Sequence, residues 1–162
     1  MAKVDLWKPD PKLDLVLERD IDVPVELVWA AWTQPKHMVK WFTPAPYTTV
    51  RAEMDLRPGG ACLVVMRSPE GQEFPNPGCI LEVIPNTRLV WTDAMGAGFR
   101  PTGTPFMTAV ISMKKKGKGT HYTAMARHVN EEARLKHEGM GFHDGWGKAT
   151  DQLVAVMSKM KR

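Results

Sequence analysis

The C-terminal segment, residues 131–161, carries the pattern that most constrains how this chain can fold. Between Leu135 and Met160, apolar residues and one glycine recur three or four positions apart, which is the spacing of one face of an α-helix. The members of this seam are Leu135, Gly139, Phe142, Trp146, Ala149, Leu153, Val156 and Met160. A long helix with a single apolar face must bury that face against another layer of the molecule.

Four glycines interrupt the same segment. They are Gly139, Gly141, Gly145 and Gly147, and each weakens a helix by about 1 kcal/mol relative to alanine. That cost is understandable if another backbone or a ligand must approach the helix closely at this point. The glycines also predict a bend or a break in the helix between Gly139 and Gly141.

The chain begins with two prolines within residues 1–11, which predict a flexible arm. Residues 12–23 then alternate apolar and polar side chains, a pattern typical of a β-strand with one buried face. Arg19 is the exception, because it falls among the apolar positions.

Two short helices are predicted next. Pro24 suits the first position of a helix, and the following apolar residues recur at helical spacing. The predicted buried face consists of Val25, Val28, Trp29 and Trp32. Pro35 ends this helix and opens a second short one, which leads to the bulky pair Trp41 and Phe42.

Alternating segments occupy the middle of the chain and predict about six more strands joined by short turns. They are residues 47–56, 61–67, 79–84, 88–94, 106–116 and 120–129. The composition of the segment between Ala94 and Phe106 predicts a flexible loop. Short connections of this kind favour an antiparallel meander.

The order of these elements predicts one α+β domain over residues 12–162. Its antiparallel sheet, of about six to seven strands, has only one long amphipathic helix available to cover it, so the sheet should curve around the C-terminal helix. The two short helices would close one end. Such an arrangement can leave a cavity between the helix and the sheet.

Charge and composition exclude several classes of partner. The net charge of +4 is mild, and the one basic run, residues 114–119, contains the glycines of a hairpin turn, so no nucleic-acid partner is predicted. No apolar run is long enough to span a bilayer, and the N-terminus lacks a signal-peptide pattern, which predicts a cytoplasmic protein without stable membrane insertion. Cys62 and Cys79 could face each other across a hairpin, but two buried thiols are the favoured interpretation in a reducing compartment.

The stretch HEGMGFHDGW, residues 137–146, resembles a chemical site. On a continuous helix, however, His137 and His143 are 240° apart, so they cannot bind one metal ion together, and His137 should face solvent opposite the seam. A metal site would need ligands from elsewhere in the chain, such as His121 or His128. We therefore predict no metal site. The chain also contains no GxSxG motif and no phosphate-binding loop, and no cofactor is predicted.

Several segments resemble one known family when taken together: VELVWAAWTQP with VKWF, EMDLRPGG, LEVIPNTRLVWT and HEGMGFHDGWGKATDQL. They are similar to the START-like, helix-grip superfamily, and within it to the activator of heat-shock-protein ATPase homologue C-terminal-like branch, which is often bacterial. The resemblance covers most of the chain. It implies the helix-grip fold and a cavity for a hydrophobic ligand under the long helix, but no catalytic residue.

The residues expected to line this cavity come from the short helices, the sheet, the loop and the seam. They are Trp41, Phe42, Trp91, Asp93, Met95, Phe106, Phe142, His143 and Trp146. Arg127 is a further polar candidate. A pocket that is mostly apolar with a few polar groups is typical of a small-molecule site.

Three functions follow from this interpretation. The favoured one is binding of a small hydrophobic or amphipathic molecule, for example a lipid. The second is an enzyme of the cyclase or hydrolase type that would use His143 or Asp93 as acid or base. The third, implied by the family resemblance, is a co-chaperone-like interaction module. An exposed sheet edge or helix face would also permit a homodimer.

Overall fold

A computed structural model of the chain describes residues 5–160. Its main layer is a seven-stranded antiparallel sheet with the strand order β1-β9-β8-β5-β4-β3-β2, and β6 and β7 form a separate short ladder. The strands are β1 (Asp14–Ile21), β2 (Thr48–Met54), β3 (Ala61–Arg67), β4 (Glu73–Ile84), β5 (Arg88–Thr92), β6 (Met95–Gly96), β7 (Arg100–Pro101), β8 (Thr108–Lys116) and β9 (Gly119–Arg127). The helices are α1 (Val25–Thr33), α2 (Pro35–Met38), α3 (Glu131–Gly139) and α4 (Phe142–Ser158), with a 3-10 turn at Ala97–Phe99. The predicted fold class is confirmed.

The first strand shows why its alternation had one exception. Leu15 and Leu17 of β1 pack under the C-terminal helix, and Arg19 lies on the same face but reaches the helix surface, where it pairs with Asp151. Gly147 makes room for it, because a Cβ atom at that position would lie 2.9 Å from the Nη2 atom of Arg19. The predicted close approach therefore occurs at Gly147, where it is made by a side chain and not by a backbone or a ligand.

The two short helices close one end of the sheet. The first helix begins one residue later than predicted, because Pro24 precedes α1. The second helix, α2, is only one turn long. Val28 and Trp32 of α1 are buried against the sheet. Three aromatic rings pack edge to face at this end, with Trp32 4.9 Å from Trp41 and 5.7 Å from Phe42 between ring centroids.

The C-terminal segment is broken into two helices at the predicted place. Asn130 caps α3 by accepting a hydrogen bond from the backbone N–H of Ala133, and α3 ends at Gly139. Gly141 has φ +93° and begins α4 from a left-handed conformation, which only glycine adopts at low cost.

This break corrects two predictions that assumed a continuous helix. A left-handed residue resets the rotation of the helix, so the part before it no longer shares a face with the part after it. Leu135, which precedes the turn and was predicted on the buried seam, is consequently 51% exposed. Leu153, which follows the turn, is fully buried as predicted. His137, expected in solvent, is buried.

The two cysteines do not face each other. In the β3–β4 ladder Cys62 is opposite Gly78, whereas Cys79 is opposite Ala61. Because side chains alternate across a sheet, this offset of one residue places the two thiols on different faces. Both are free thiols, but the prediction that both are buried holds for Cys79 alone, since Cys62 is half-buried. The basic run forms the predicted hairpin turn between β8 and β9, with Gly117 at φ +60°.

The opposite face of the sheet is covered by part of the predicted arm. Trp7 packs against a cluster of Val90, Val110 and Met125, and Arg127 donates hydrogen bonds to the backbone carbonyls of Leu6 and Lys8. Residues 1–4 of the predicted arm, and the last residue of the predicted helix, lie outside the described residues.

Candidate functional site: a cavity under the C-terminal helix

The inner face of the sheet and α4 enclose a cavity of about 620 Å³. This volume is within the range of ligand sites in proteins, roughly 300–1,000 Å³. The cavity is lined by the two short helices, the strands from β2 to β5, the residues just before β8, strand β9 and the region where α3 meets α4. It therefore lies where the order of the elements predicted it.

Seven of the nine predicted site residues line this cavity. They are Trp41, Phe42, Trp91, Asp93, Phe106, Phe142 and Trp146. Met95 lies in the short β6–β7 ladder and is not among the lining residues, and neither is His143. The His143 side chain is 56% exposed, and its Nε2 atom is 3.5 Å from the Glu138 carboxylate. Arg127 lies on the outer face of the sheet, within 5.9 Å of the Trp7 ring centroid.

Sequence reasoning missed other lining residues, and the missed residues divide into two kinds. Some follow directly from strand alternation: Cys62, Val64 and Met66 are every second residue of β3, and all three line the cavity. Their positions were available from the pattern that predicted the strand. His137 and Met140 are of the other kind, because only the left-handed turn at Gly141 brings them to the cavity.

One wall of the cavity is aromatic and rigid. The Trp41 indole Nε1 donates to the Ala31 carbonyl at 3.0 Å, and the Trp32 Nε1 donates to the Tyr122 hydroxyl oxygen at 3.1 Å. Both indole donors are thus satisfied inside the protein, and the rings present only apolar surface to the cavity. Burial raises the pKa of Tyr122, so its phenol stays neutral.

At the Trp91 end of the cavity, the carboxylate of Asp93 fixes a loop through hydrogen bonds. One oxygen of Asp93, Oδ1, accepts hydrogen bonds from the backbone N–H groups of Phe106 at 2.7 Å and Met107 at 3.1 Å. Thr102 adds a bond from its hydroxyl to the Asp93 carbonyl. Asp93 therefore positions Phe106, whose ring borders the cavity.

A pair of histidines lies next to Phe106. The Nε2 atom of His128 is 2.8 Å from the Nδ1 atom of His137, and the Nδ1 atom of His128 is 2.8 Å from the Leu13 carbonyl oxygen. The His137 ring packs between Phe106 and Phe142, at centroid distances of 4.6 and 5.2 Å. Burial, together with the neighbouring His128, lowers the pKa of His137 to about 4, so this imidazole is neutral at pH 7.

Cys62 is a further nucleophile among the lining residues. Burial raises the pKa of the Cys62 thiol to about 12, the opposite of what a reactive cysteine needs. Within residues 5–160, no group of three or more His, Cys, Asp or Glu side chains is arranged to hold a metal ion.

The fold and the cavity can now be compared with known proteins. Residues 22–158 match the family described as Activator of Hsp90 ATPase homolog 1-like protein. This chain belongs to that family. The match includes α1, α2, eight of the nine strands and both C-terminal helices, so the cavity lies within the family domain.

Solved structures of similar proteins agree with this assignment. A Nitrosomonas europaea protein of known crystal structure is 45% identical, with a TM-score of 0.91 over 94% of this chain and 98% of that one. Two more distant ones share the fold: a Rhodobacter sphaeroides protein (17% identity, TM-score 0.82, 96% and 99% of the two chains) and an Activator of Hsp90 ATPase homolog 1-like protein from Aeromonas hydrophila (18%, 0.68, 91% and 94%). No protein with a curated functional description matches the sequence.

None of the helices within residues 5–160 is both long enough and apolar enough to cross a membrane.

Proposed function

We propose that this member of the family binds a small hydrophobic or amphipathic molecule in the cavity between α4 and the sheet. The observation that carries the proposal is the cavity itself, about 620 Å³ of space in the middle of the domain. The cavity opens to solvent, since lining residues such as Tyr47, Phe106 and Met140 are exposed. Its mostly apolar walls favour an apolar ligand over the water that otherwise fills the space.

The chemistry of the lining supports the same function. Aromatic rings and methionines dominate it, and few polar groups interrupt them. Methionine side chains adapt to ligands of different shapes, and the aromatic wall is held rigid by its own hydrogen bonds. The polar groups at the Phe106 end would orient an amphipathic molecule.

A cavity-filling substitution tests the proposal. Ala149 is a buried α4 residue on the cavity wall, and Ala155 is exposed on the same helix. We expect Ala149→Phe to weaken binding of an uncharged apolar fluorescent probe, such as N-phenyl-1-naphthylamine, at least tenfold, because the new ring occupies the site. Ala155→Phe is the matched control and should bind the probe like the wild type.

Two results would contradict this proposal. One is equal probe binding by the two variants while circular dichroism shows both to be folded. The other is failure of the wild type to bind any member of a panel of apolar and amphipathic probes.

The other functions raised by the sequence have less support. The two residues that the sequence named as acid or base of an enzyme do not suit that role, because His143 lies outside the lining and Asp93 already holds two backbone N–H groups. A co-chaperone-like role is suggested by the family's description alone. The cytoplasmic location, the absence of a nucleic-acid partner and the homodimer stay predictions.

A further inference from the structure

The two histidines beside Phe106 form a directed chain of hydrogen bonds. It starts at the Leu13 carbonyl oxygen, which can only accept, so the Nδ1 atom of His128 must carry a proton. The next link is the 2.8 Å contact between His128 Nε2 and His137 Nδ1. One of these two nitrogens donates and the other accepts.

The charge on the pair decides the direction of that second bond. Within residues 5–160, neither imidazole has an ion-pair partner among the carboxylates, and His137 is enclosed by the rings of Phe106 and Phe142. An unpaired buried cation is costly, so both rings are neutral. A neutral His128 that donates from Nδ1 must accept at Nε2, and His137 therefore donates from its Nδ1 atom.

This leaves the Nε2 atom of His137 as a hydrogen-bond acceptor. This atom has no hydrogen-bond partner in the described part of the chain. It is also accessible, because the one fully buried side-chain nitrogen or oxygen without a partner among the described residues belongs to His37. His137 is a lining residue of the cavity. An acceptor of fixed tautomer is thus available on a residue that lines a mostly apolar space.

The charges around the cavity narrow the class of ligand. Glu53 and Asp93 belong to its lining, whereas no lysine or arginine of the described residues does. The Glu53 carboxylate is paired with Arg51, but no ion pair joins the Asp93 carboxylate to a cation of the described residues, so the lining disfavours an anionic ligand such as a fatty-acid carboxylate. A neutral hydroxyl can donate to an imidazole without this repulsion.

We propose that the Nε2 atom of His137 accepts a hydrogen bond from the hydroxyl group of an otherwise apolar ligand, an alcohol or a phenol, and that His128 is the positioning residue that fixes the tautomer of His137. This inference rests on the proposed function. It adds a specificity that the cavity alone does not require, because an apolar cavity would accept a ligand without a hydroxyl equally well.

A matched pair of probes tests this specificity in the unmodified protein. Para-octylphenol and para-octylanisole have the same apolar body, but the methyl ether lacks the donor. We expect the phenol to bind about tenfold more tightly in calorimetric or displacement titrations, the difference that one hydrogen bond to a buried acceptor can supply. The anionic para-octylbenzoate should bind more weakly than the phenol.

Variants assign the preference to the two histidines. His137→Phe should bind phenol and ether equally, with the ether affinity near that of the wild type. His128→Phe keeps His137 but removes the group that fixes its tautomer, and the Leu13 carbonyl still accepts from the His128 backbone N–H at 3.1 Å. We expect this variant to lose most of the preference.

Nitrogen NMR of labelled histidine side chains reads the tautomer without any substitution. The expected result is a proton on Nδ1 of both His128 and His137, with the His137 Nε2 resonance shifting when the phenol is added. In His128→Phe the His137 proton should move at least partly to Nε2, a change that a merely structural role of His128 would not produce.

The outcomes separate this inference from the proposed function. Equal binding of phenol and ether by the wild type, or a proton on Nε2 of His137, overturns the inference and leaves the apolar cavity as a binding site. Tighter binding of the benzoate also overturns it. If neither neutral probe binds, and the wider panel of apolar probes fails as well, both the inference and the proposed function are wrong.

Discussion

The two faces of the sheet are both apolar, but they are covered in different ways. On the outer face, Trp7 of the N-terminal segment lies on Val90, Val110 and Met125, flanked by Arg88 and Arg127, and leaves a pocket of only about 60 Å³. On the inner face, a long helix covers the sheet and leaves about 620 Å³. Covering an apolar surface therefore does not by itself create a ligand site.

The difference is in how each cover is attached. On the outer face, the Trp7 side chain of a short segment packs directly on the strands. The C-terminal helix is held at its edges, by Arg19 against Asp151 and by hydrogen bonds from the Gln152 amide to the Trp41 and Thr43 carbonyls. Under α4, Phe142 packs on Leu15 and Ala126, and residues of α1 fill the space farther along the helix, whereas the side that faces β2 to β5 remains open.

The strongest test of this comparison removes one apolar anchor from each face. Leu153 is fully buried under α4, whereas Trp7 is only half-buried. We expect Leu153→Ala to lower the free energy of unfolding by about 2–5 kcal/mol and Trp7→Ala by about 1–2 kcal/mol, as measured by denaturant titration. Trp7→Ala should leave binding of the apolar probe unchanged. A larger loss from Trp7→Ala, or lost binding, would contradict the separation of the two faces.

Acid should act on the inner face through His137. Its pKa is lowered in the folded protein to about 4, from an ordinary value near 6.5, so between these values the unfolded chain binds the extra proton. Stability therefore falls as the pH drops from about 7 to 4, by on the order of 2 kcal/mol from this residue. His137→Phe should lose less stability over that range. His37, whose pKa burial also lowers, keeps some acid sensitivity in the variant. Equal slopes for the two proteins would argue against a buried neutral His137.

The turn between α3 and α4 offers the smallest expected effect and a matched pair of glycines. Gly141 has φ +93°, so Gly141→Ala should cost about 1–2 kcal/mol of unfolding free energy. Gly139 lies in α3 with open space around the position of a Cβ atom, so Gly139→Ala should be neutral or stabilising by up to about 1 kcal/mol. Similar melting temperatures for the two variants would show that the left-handed turn is not required.

Much of the fold was predictable from the sequence because it depends on periodicity. Alternation located the strands, the seam located α4, and the glycines marked the break between the two C-terminal helices. Arg19 interrupted the first strand's alternation for a reason that the strand alone could not show, since its partner Asp151 is far away in sequence.

The candidate site was predictable where side chains follow an unbroken helix or strand, as with Trp91, Phe142 and Trp146. The prediction of the site failed where one residue changes the direction of the chain. A continuous helix with 100° of rotation per residue predicted that His137 faces solvent. The left-handed Gly141 breaks that rotation, and His137 is buried at the cavity. The same rotation placed His143 beside the seam and predicted it in the cavity lining, but it is not a lining residue. The contact of His137 with His128 also depends on the end of β9, a neighbour that no local pattern identifies.

The most direct test of the central claim is a high-resolution crystal structure of the protein purified from its host without added ligand. The account predicts continuous electron density for one elongated apolar molecule in the cavity under α4, with a polar atom within hydrogen-bond distance of the His137 Nε2 atom. A cavity closed by its own side chains, or one that holds only ordered water, would contradict it.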